Sequence, residues 1–223
     1  MRRTYEKEAL AQGFRFILGL DEAGRGPLAG PVVAAAVCLN SFRFRNARIN
    51  DSKKMTALAR EAAFHEIFKR GHVGIGIVSE AAVDEINILN ASHTAMDLAV
   101  MQLLRRLSTY TPPESVEVCD SQIKLLVDGN LFRTQLPYSY DTIVDGDARC
   151  LSIACASIIA KVYRDRVMTH YDRLFPQYGF KQHKGYATRL HRTALETHGP
   201  SRIHRRSFSL LAGNAVEEIE LFD

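Results

Sequence analysis

Asp21 and Glu22 stand side by side at the end of an apolar run, Ile17-Leu-Gly-Leu20, and lead into Ala23-Gly-Arg-Gly-Pro-Leu-Ala-Gly-Pro31, a turn rich in glycine and proline. Acidic side chains are rarely set against an apolar strand unless something cationic compensates them, and a divalent metal would do so. Other acids share this setting. Asp128 follows the apolar run 123–127, and Asp145 and Asp147 follow the run 140–144. Each alone also suits a turn or a helix cap, and Asp128-Gly-Asn130 is a good turn sequence in its own right. Together, carboxylates at strand ends offer the hard oxygen ligands that Mg²⁺ combines with water and phosphate oxygens, and Mn²⁺ accepts the same set. Two such ions about 4 Å apart would position water for in-line attack on a phosphodiester and stabilise the leaving oxygen.

Gly24, Gly26 and Gly30 could instead cradle a nucleotide. No Lys-Ser or Lys-Thr follows, as a P-loop requires, and Gly30 leads into Pro31 and a strand-like run where a dinucleotide-binding turn would open a helix. The elements that position the acids follow from periodicity. Strands are expected over 14–20 and Val32–Leu39, and a helix over 55–69 (Leu58, Ala62, Ile67) stops at Gly71. The run 73–79 alternates like a strand, its glycines marking close backbone approach. These three strands should form an antiparallel meander. Ser79 can cap a helix from Glu80, and a longer helix should run from about 91 to 107 with Ala95, Leu98, Met101 and Leu104 as apolar positions. Short strands over 123–127 and 140–144 deliver Asp128 and then Asp145 and Asp147, and strand alternation would put those last two on one face. The stretch Leu151–Leu174 reads as a long helix whose first half is small and apolar, suited to close packing on a sheet.

With 223 residues, 46% hydrophobic, the chain can bury a sizeable core and suits one domain with a modest appendage. Its net charge of +4 and pI near 8.9 permit a polyanionic partner. The distribution is more telling. Between 42 and 60, six cations (Arg43, Arg45, Arg48, Lys53, Lys54, Arg60) face only Asp51, and between 181 and 206 seven (Lys181, Lys184, Arg189, Arg192, Arg202, Arg205, Arg206) face only Glu196. Two basic segments thus flank an acidic centre. Cys38, Cys119, Cys150 and Cys155 form no C-x-x-C pair and read as small core residues of a reducing compartment. A cytoplasmic location is expected, because no secretory apolar core opens the chain and no window approaches the roughly 20 apolar residues of a membrane span.

Asp21-Glu-Ala-Gly-Arg-Gly-Pro-Leu-Ala-Gly-Pro31 is similar to the signature of the ribonuclease HII family, metal-dependent endonucleases acting on RNA joined or paired to DNA. Further resembling blocks follow in order: Asn50-Asp-Ser-Lys-Lys54, Asp84-Glu-Ile-Asn-Ile-Leu-Asn90, Val127-Asp-Gly-Asn130, Gly146-Asp147 before residues 152–165, His183-Lys-Gly-Tyr186 and His204-Arg-Arg-Ser-Phe208. The chain departs from the commonest wording at Met55, Cys155 and Ala187 and in a long approach to Asp128, none of which removes an acid.

The resemblance implies a ribonuclease H-like three-layer α/β fold, with a mixed central sheet flanked by helices over 1–175 and a small helical basic C-terminal lobe over 176–223. It implies cleavage of RNA–DNA hybrids and incision 5′ of ribonucleotides embedded in duplex DNA, as in ribonucleotide excision repair, leaving 5′-phosphate and 3′-hydroxyl ends. Asp21, Glu22, Asp128 and Asp147 would bind two ions, Mn²⁺ or Mg²⁺. Asp147 is chosen over Asp145 for its Gly-Asp context. The turn Gly24-Arg25-Gly26 would sense the ribose 2′-hydroxyl, the group that distinguishes RNA from DNA, with Tyr186 against the neighbouring sugar. Ser52, Lys53, Lys54, Arg25 and Lys184 would hold phosphates. A resolvase or integrase of the same fold superfamily would keep the acids without a ribose sensor, and a binding module would need no complete set of acids. A monomer is expected. The tail segment Glu218-Ile-Glu-Leu-Phe222 is similar to the short motif by which bacterial repair enzymes dock on the sliding clamp, with Glu218 and Ile219 as departures.

Overall fold

The computed structural model describes residues 4–40, 49, 55–110 and 119–210. Ser52, Lys53, Lys54 and the clamp-like tail lie outside the described residues. Five strands form one sheet in the order β3-β2-β1-β4-β5: β1 Phe16–Ala23, β2 Val32–Leu39, β3 Gly71–Val78, β4 Ile123–Asp128 and β5 Ser139–Ile143. The first three pair antiparallel, as the alternation predicts, and β4 and β5 add in parallel beside β1. The helices are α1 Thr4–Ala11, α2 Ala57–Arg70, α3 Glu80–Tyr110, α4 Gly146–Arg149, α5 Leu151–Leu174, α6 Phe180–His183 and α7 Arg189–His198.

Three layers result, because alternate residues of each strand feed two cores. Leu18, Leu20, Ala34, Ala36, Leu125 and Val127 pack with α3 on one face. On the other, Ala35 and Val37 meet α2 and α5, while Ile17 and Leu126 meet Ile153 of α5 beside Ala9 of α1. The small residues bring the layers close. A Cβ at Gly19 would stand 2.1 Å from the Ser152 carbonyl carbon of α5, and one at Gly76 would stand 1.9 Å from the Ala95 carbonyl oxygen of α3.

Ser79 caps α3 by accepting from the Ala82 N–H, as its hydroxyl chemistry predicts. Asn87, at φ 63°, breaks α3 into the two expected segments, its Oδ1 accepting from the N–H groups of Leu89 and Asn90 to restart the helix. The predicted apolar stripe of the second segment is half right: Ala95 is buried and Leu104 packs against the core, but Leu98 and Met101 are exposed, and Ala91, Met96, Ala99, Val100 and Leu103 are buried in their place. In α2, Leu58 is exposed and Ala63, Phe64 and Ile67 face the core. The thiols of Cys38, Cys150 and Cys155 are buried as expected, whereas Cys119 is exposed.

No side chain caps α5 from its own N-terminal turn. Glu6 of α1 does so from afar: its buried Oε1 accepts from the Ser152 N–H at 2.9 Å and from the Ser152 hydroxyl and Cys150 thiol at 3.2 Å each. A carboxylate there also meets the positive end of the helix dipole. Beyond Leu174 the lobe packs Tyr178, Phe180, Ala194, Leu195 and Ile203 against Leu28 and Ala29 of the glycine turn and Met168 of α5. Lobe and turn therefore share a core. Among the described residues no helix is long and apolar enough to cross a membrane.

Candidate active site

Asp21 and Glu22 lie inside β1, beyond its predicted end at residue 20, because β2 continues to pair with them (Asp21↔Ala35, Glu22↔Ala34) after β4 has stopped at Leu20↔Val127. The next position on β4 is Asp128, so Asp21 and Asp128 occupy neighbouring places on adjoining parallel strands. Strand alternation puts both on the α5 side and Glu22 on the α3 side. Asp21 accepts from the Glu22 N–H at 2.7 Å and from the hydroxyl of Ser157, a residue of α5 that sequence reasoning passed over.

Asp128 Oδ1 accepts from the Gly146 N–H at 2.7 Å, which brings the backbone just before Asp147 against it. Gly146 leaves little space there, since a Cβ would meet the Ile153 side chain at 2.7 Å and Asp128 Oδ1 at 3.1 Å. Asp145 and Asp147 do not share a strand face as alternation predicts. The strand ends at Ile143, Asp145 takes a left-handed conformation at φ 53°, and α4 begins at Gly146. The turn leaves Asp145 exposed and buries Asp147.

These carboxylates are held within one another's field. Desolvation, and then the charges of Glu22 and Asp128, raise the Asp21 carboxyl well above its ordinary range. Desolvation also raises Glu22, partly offset by Arg25, whose Nη1 lies 3.2 Å from Glu22 Oε1. Among the described residues no three His, Cys, Asp or Glu side chains stand close enough together to hold a metal ion by themselves. The acids are an open, oxygen-only set with excess negative charge. This suits a hard divalent ion that completes its shell with water and phosphate.

Beside the acids, Gly24 turns the chain at φ 102°, a conformation open to glycine and strained for other residues. A Cβ there would also strike Arg164 Nε at 2.2 Å. Tyr186, 45% exposed, stands over the turn: its Cε1 lies 3.8 Å from where a Gly26 Cβ would be. The structure thus brings together Gly24, Arg25, Gly26 and Tyr186. Lys184 is nearby in sequence, but its Nζ donates to Thr169 Oγ1 at 3.3 Å and to the Lys181 carbonyl at 2.5 Å, and it lines a cavity of about 420 Å³ between α2 and α5 with Arg60, Arg166 and Arg173. Desolvation lowers its pKa.

The motif blocks meet through contacts that their spacing does not reveal. Asp84 accepts from the N–H groups of Arg206 and Ser207 at 2.8 and 2.9 Å and from the Ser207 hydroxyl at 2.6 Å. Beneath Tyr186, three buried imidazoles interlock. His204 Nδ1 accepts from the Ser201 N–H, so its Nε2 donates to His191 Nε2 at 2.9 Å, and His191 Nδ1 then donates to the Tyr186 carbonyl at 2.9 Å. His183 accepts from the Gly185 N–H through Nδ1 and donates to the Tyr178 carbonyl through Nε2. Each ring is used as a neutral tautomer. Desolvation accordingly lowers His191 and His204 to about 4. Arg205, which the sequence counts in a phosphate-facing basic segment, is fully buried and faces backbone carbonyls instead.

A mixed five-stranded sheet in this order, with carboxylates at the ends of its central strands, fits the ribonuclease H class of hydrolase, a nuclease, which the family match bears out. The family model described as Ribonuclease HII matches residues 18–211. The chain belongs to the ribonuclease HII family. It is 47% identical over 223 residues to the ribonuclease HII of Syntrophus aciditrophicus, covering 98% of this chain and 97% of that relative. It is also 47% identical over 207 residues to that of Rhizobium meliloti, covering 92% and 88%. Among solved structures, the PCNA:RNase HII complex from Archaeoglobus fulgidus aligns with a TM-score of 0.66 at 24% identity, over 90% of this chain and 98% of that one. Bst-RNase HIII in complex with Mn²⁺ aligns with a TM-score of 0.60 at 17% identity, over 91% and 70%. At these identities the structures speak for the fold.

Proposed function

We propose that the chain cleaves the RNA strand of RNA–DNA hybrids and incises 5′ of single ribonucleotides in duplex DNA, leaving 5′-phosphate and 3′-hydroxyl ends. The observation that carries this reading is the adjacency of a desolvated acid set to a glycine turn over which Tyr186 stands. Asp21, Glu22, Asp128 and Asp147 would hold two divalent ions, Mn²⁺ or Mg²⁺, a reading supported by the oxygen-only donor set and by the Mn²⁺ complex of the related fold. When bound, such ions supply an activated water and stabilise the leaving oxygen. The chain's own part is positioning: Ser157 and Gly146 orient Asp21 and Asp128 by hydrogen bonds. Gly24-Arg25-Gly26 presents backbone to the 2′-hydroxyl, and Tyr186 covers the sugar that follows.

Ser52, Lys53, Lys54, Arg25 and Lys184 would bind phosphates, with Lys184 reaching from the lobe side. We assign the catalytic unit to 1–175 and the basic lobe to 176–223, acting as a monomer in the cytoplasm in ribonucleotide excision repair. The tail Glu218-Ile-Glu-Leu-Phe222 would dock on a sliding clamp, with Leu221 and Phe222 as apolar anchors. A peptide of residues 213–223 should bind purified clamp and lose binding on Phe222→Ala.

The test of the main reading is a Mn²⁺ and Mg²⁺ titration with a labelled duplex carrying one ribonucleotide, run for the parent and for Tyr186→Ala. Metal-dependent cleavage 5′ of the ribonucleotide is expected. Tyr186→Ala should lose about 1–3 kcal/mol at that site beyond its loss in duplex binding, the range for an aromatic ring stacked on a nucleotide base. Equal cleavage of an all-DNA duplex would favour a DNA enzyme of the same fold.

A further inference from the structure

Two arginines are buried behind the glycine turn, and the described residues place no carboxylate within ion-pair distance of either. Arg205 is fully buried, and its fork donates to the carbonyls of Gly24 at 2.6 Å, Arg25 at 3.0 Å and Gly30 at 2.7 and 3.0 Å. Arg164, 1% exposed, donates to Ala29, Pro31 and Lys184 carbonyls at 3.0 Å each. Desolvation lowers both to about 10, which leaves them charged at neutral pH.

A trans peptide points its N–H opposite to its C=O. The Gly24 carbonyl shares a peptide plane with the Arg25 N–H, and the Arg25 carbonyl shares one with the Gly26 N–H. By drawing both carbonyls towards itself, Arg205 turns both N–H groups away from its guanidinium, in the turn beside which Tyr186 stands. Arg164 fixes the far limb of the same turn and ties it to Lys184, two residues before Tyr186. A guanidinium suits this role because its planar fork reaches several acceptors at fixed angles, as a lysine ammonium cannot.

We propose that Arg205, seconded by Arg164, is a positioning residue for ribose selection: it aims the Arg25 and Gly26 amides at the 2′-hydroxyl without touching substrate. This rests on the reading of the turn as the ribose sensor.

The test compares the parent, Arg205→Lys and Arg164→Lys as full chains with Mn²⁺. The substrates are a duplex with one ribonucleotide and the same duplex with one 2′-deoxy-2′-fluoro nucleotide, which keeps an electronegative atom but offers no hydroxyl. Thermal unfolding and duplex affinity are measured alongside. In the folded variants, kcat/KM at the ribonucleotide should fall by about tenfold or more, a lesser loss than the roughly 10²–10³ that follows outright removal of a preorganised donor. The rate at the fluoro site and the duplex affinity should hold, so that selectivity collapses through kcat. Parallel losses on both substrates, unchanged selectivity, or failure of both lysine variants to fold would overturn the proposal and leave the arginines a purely structural role. A parent that cleaves both substrates equally would fail differently, by removing the ribose sensor itself.

Discussion

The glycine turn separates two concentrations of buried charge that are treated in opposite ways. In front of it, Asp21 and Glu22 are desolvated within the field of Asp128, and their partners include Ser157, a backbone amide and Arg25. Behind it, each guanidinium of Arg164 and Arg205 finds three carbonyl acceptors at hydrogen-bonding distance. In the proposed function the acids are the part that a ligand completes. The arginines are finished structure, because their hydrogen bonds are satisfied without anything from outside.

The sharpest way to break this contrast is to neutralise one member of each region. Asp21→Asn or Asp128→Asn should lower cleavage by roughly a thousandfold, about 4 kcal/mol of barrier, with hybrid binding largely retained; activity within tenfold of the parent for both variants would remove the metal assignment. Arg205→Met should leave activity secondary to a loss of stability, since stranding a buried carbonyl costs about 1–3 kcal/mol, and it strands several. A thermal midpoint equal to the parent's would show that the fork is dispensable. The acid side should respond with the opposite sign. In metal-free buffer, Asp21→Asn should stabilise the chain by about 1 kcal/mol, or 2–4 °C at this size, because it removes a repelled charge, and added Mn²⁺ should then favour the parent. A lower midpoint for the variant in chelator would contradict the contrast.

The smallest effect concerns the imidazoles beneath Tyr186. His191 and His204 have folded values of about 4 against 6.5 ordinarily, so the unfolded chain binds more protons between those limits. Stability from this cluster is present above pH 6.5 and is lost as pH falls towards 4. Amide-exchange protection of Gly185 and Tyr186 should therefore drop between pH 7 and 5 relative to that of β2. Equal protection ratios at the two pH values would show that the rings accept protons without disturbing the turn.

Much of this was legible because period and chemistry agreed. The run Leu151–Leu174 reads as a helix with the bounds it has, its small first half meeting Gly19, and the apolar run of β2 with the alternation of β3 gives the meander seen. Asp21, Glu22, Asp128 and Asp147 were visible as acids at the ends of apolar runs. What escaped depended on direction. The stripe of α3 was misjudged because the close approach at Gly74 and Gly76 lets small residues carry the interface and leaves Leu98 and Met101 outside. Arg205 looked like part of a phosphate face because backbone carbonyls, which every residue owns, leave no mark in a sequence. Glu6 escaped for a similar reason. Its partner lies 146 residues away, and nothing local announces it.

The place of β1 at the centre of the sheet has a consequence for how the chain is made. Its antiparallel partner β2 follows within a few residues, but its parallel partner β4 begins at Ile123. At a ribosomal pace of roughly 5–20 residues per second, the nascent meander, complete at Val78, waits about 2–9 s with one edge of β1 unpaired. Only then do Asp128, Asp147 and the helix that Glu6 caps emerge. Translation thus supplies Asp128 and Asp147 only after the meander is made, and a chain stalled before residue 123 presents an apolar strand edge while two of the four acids are still missing.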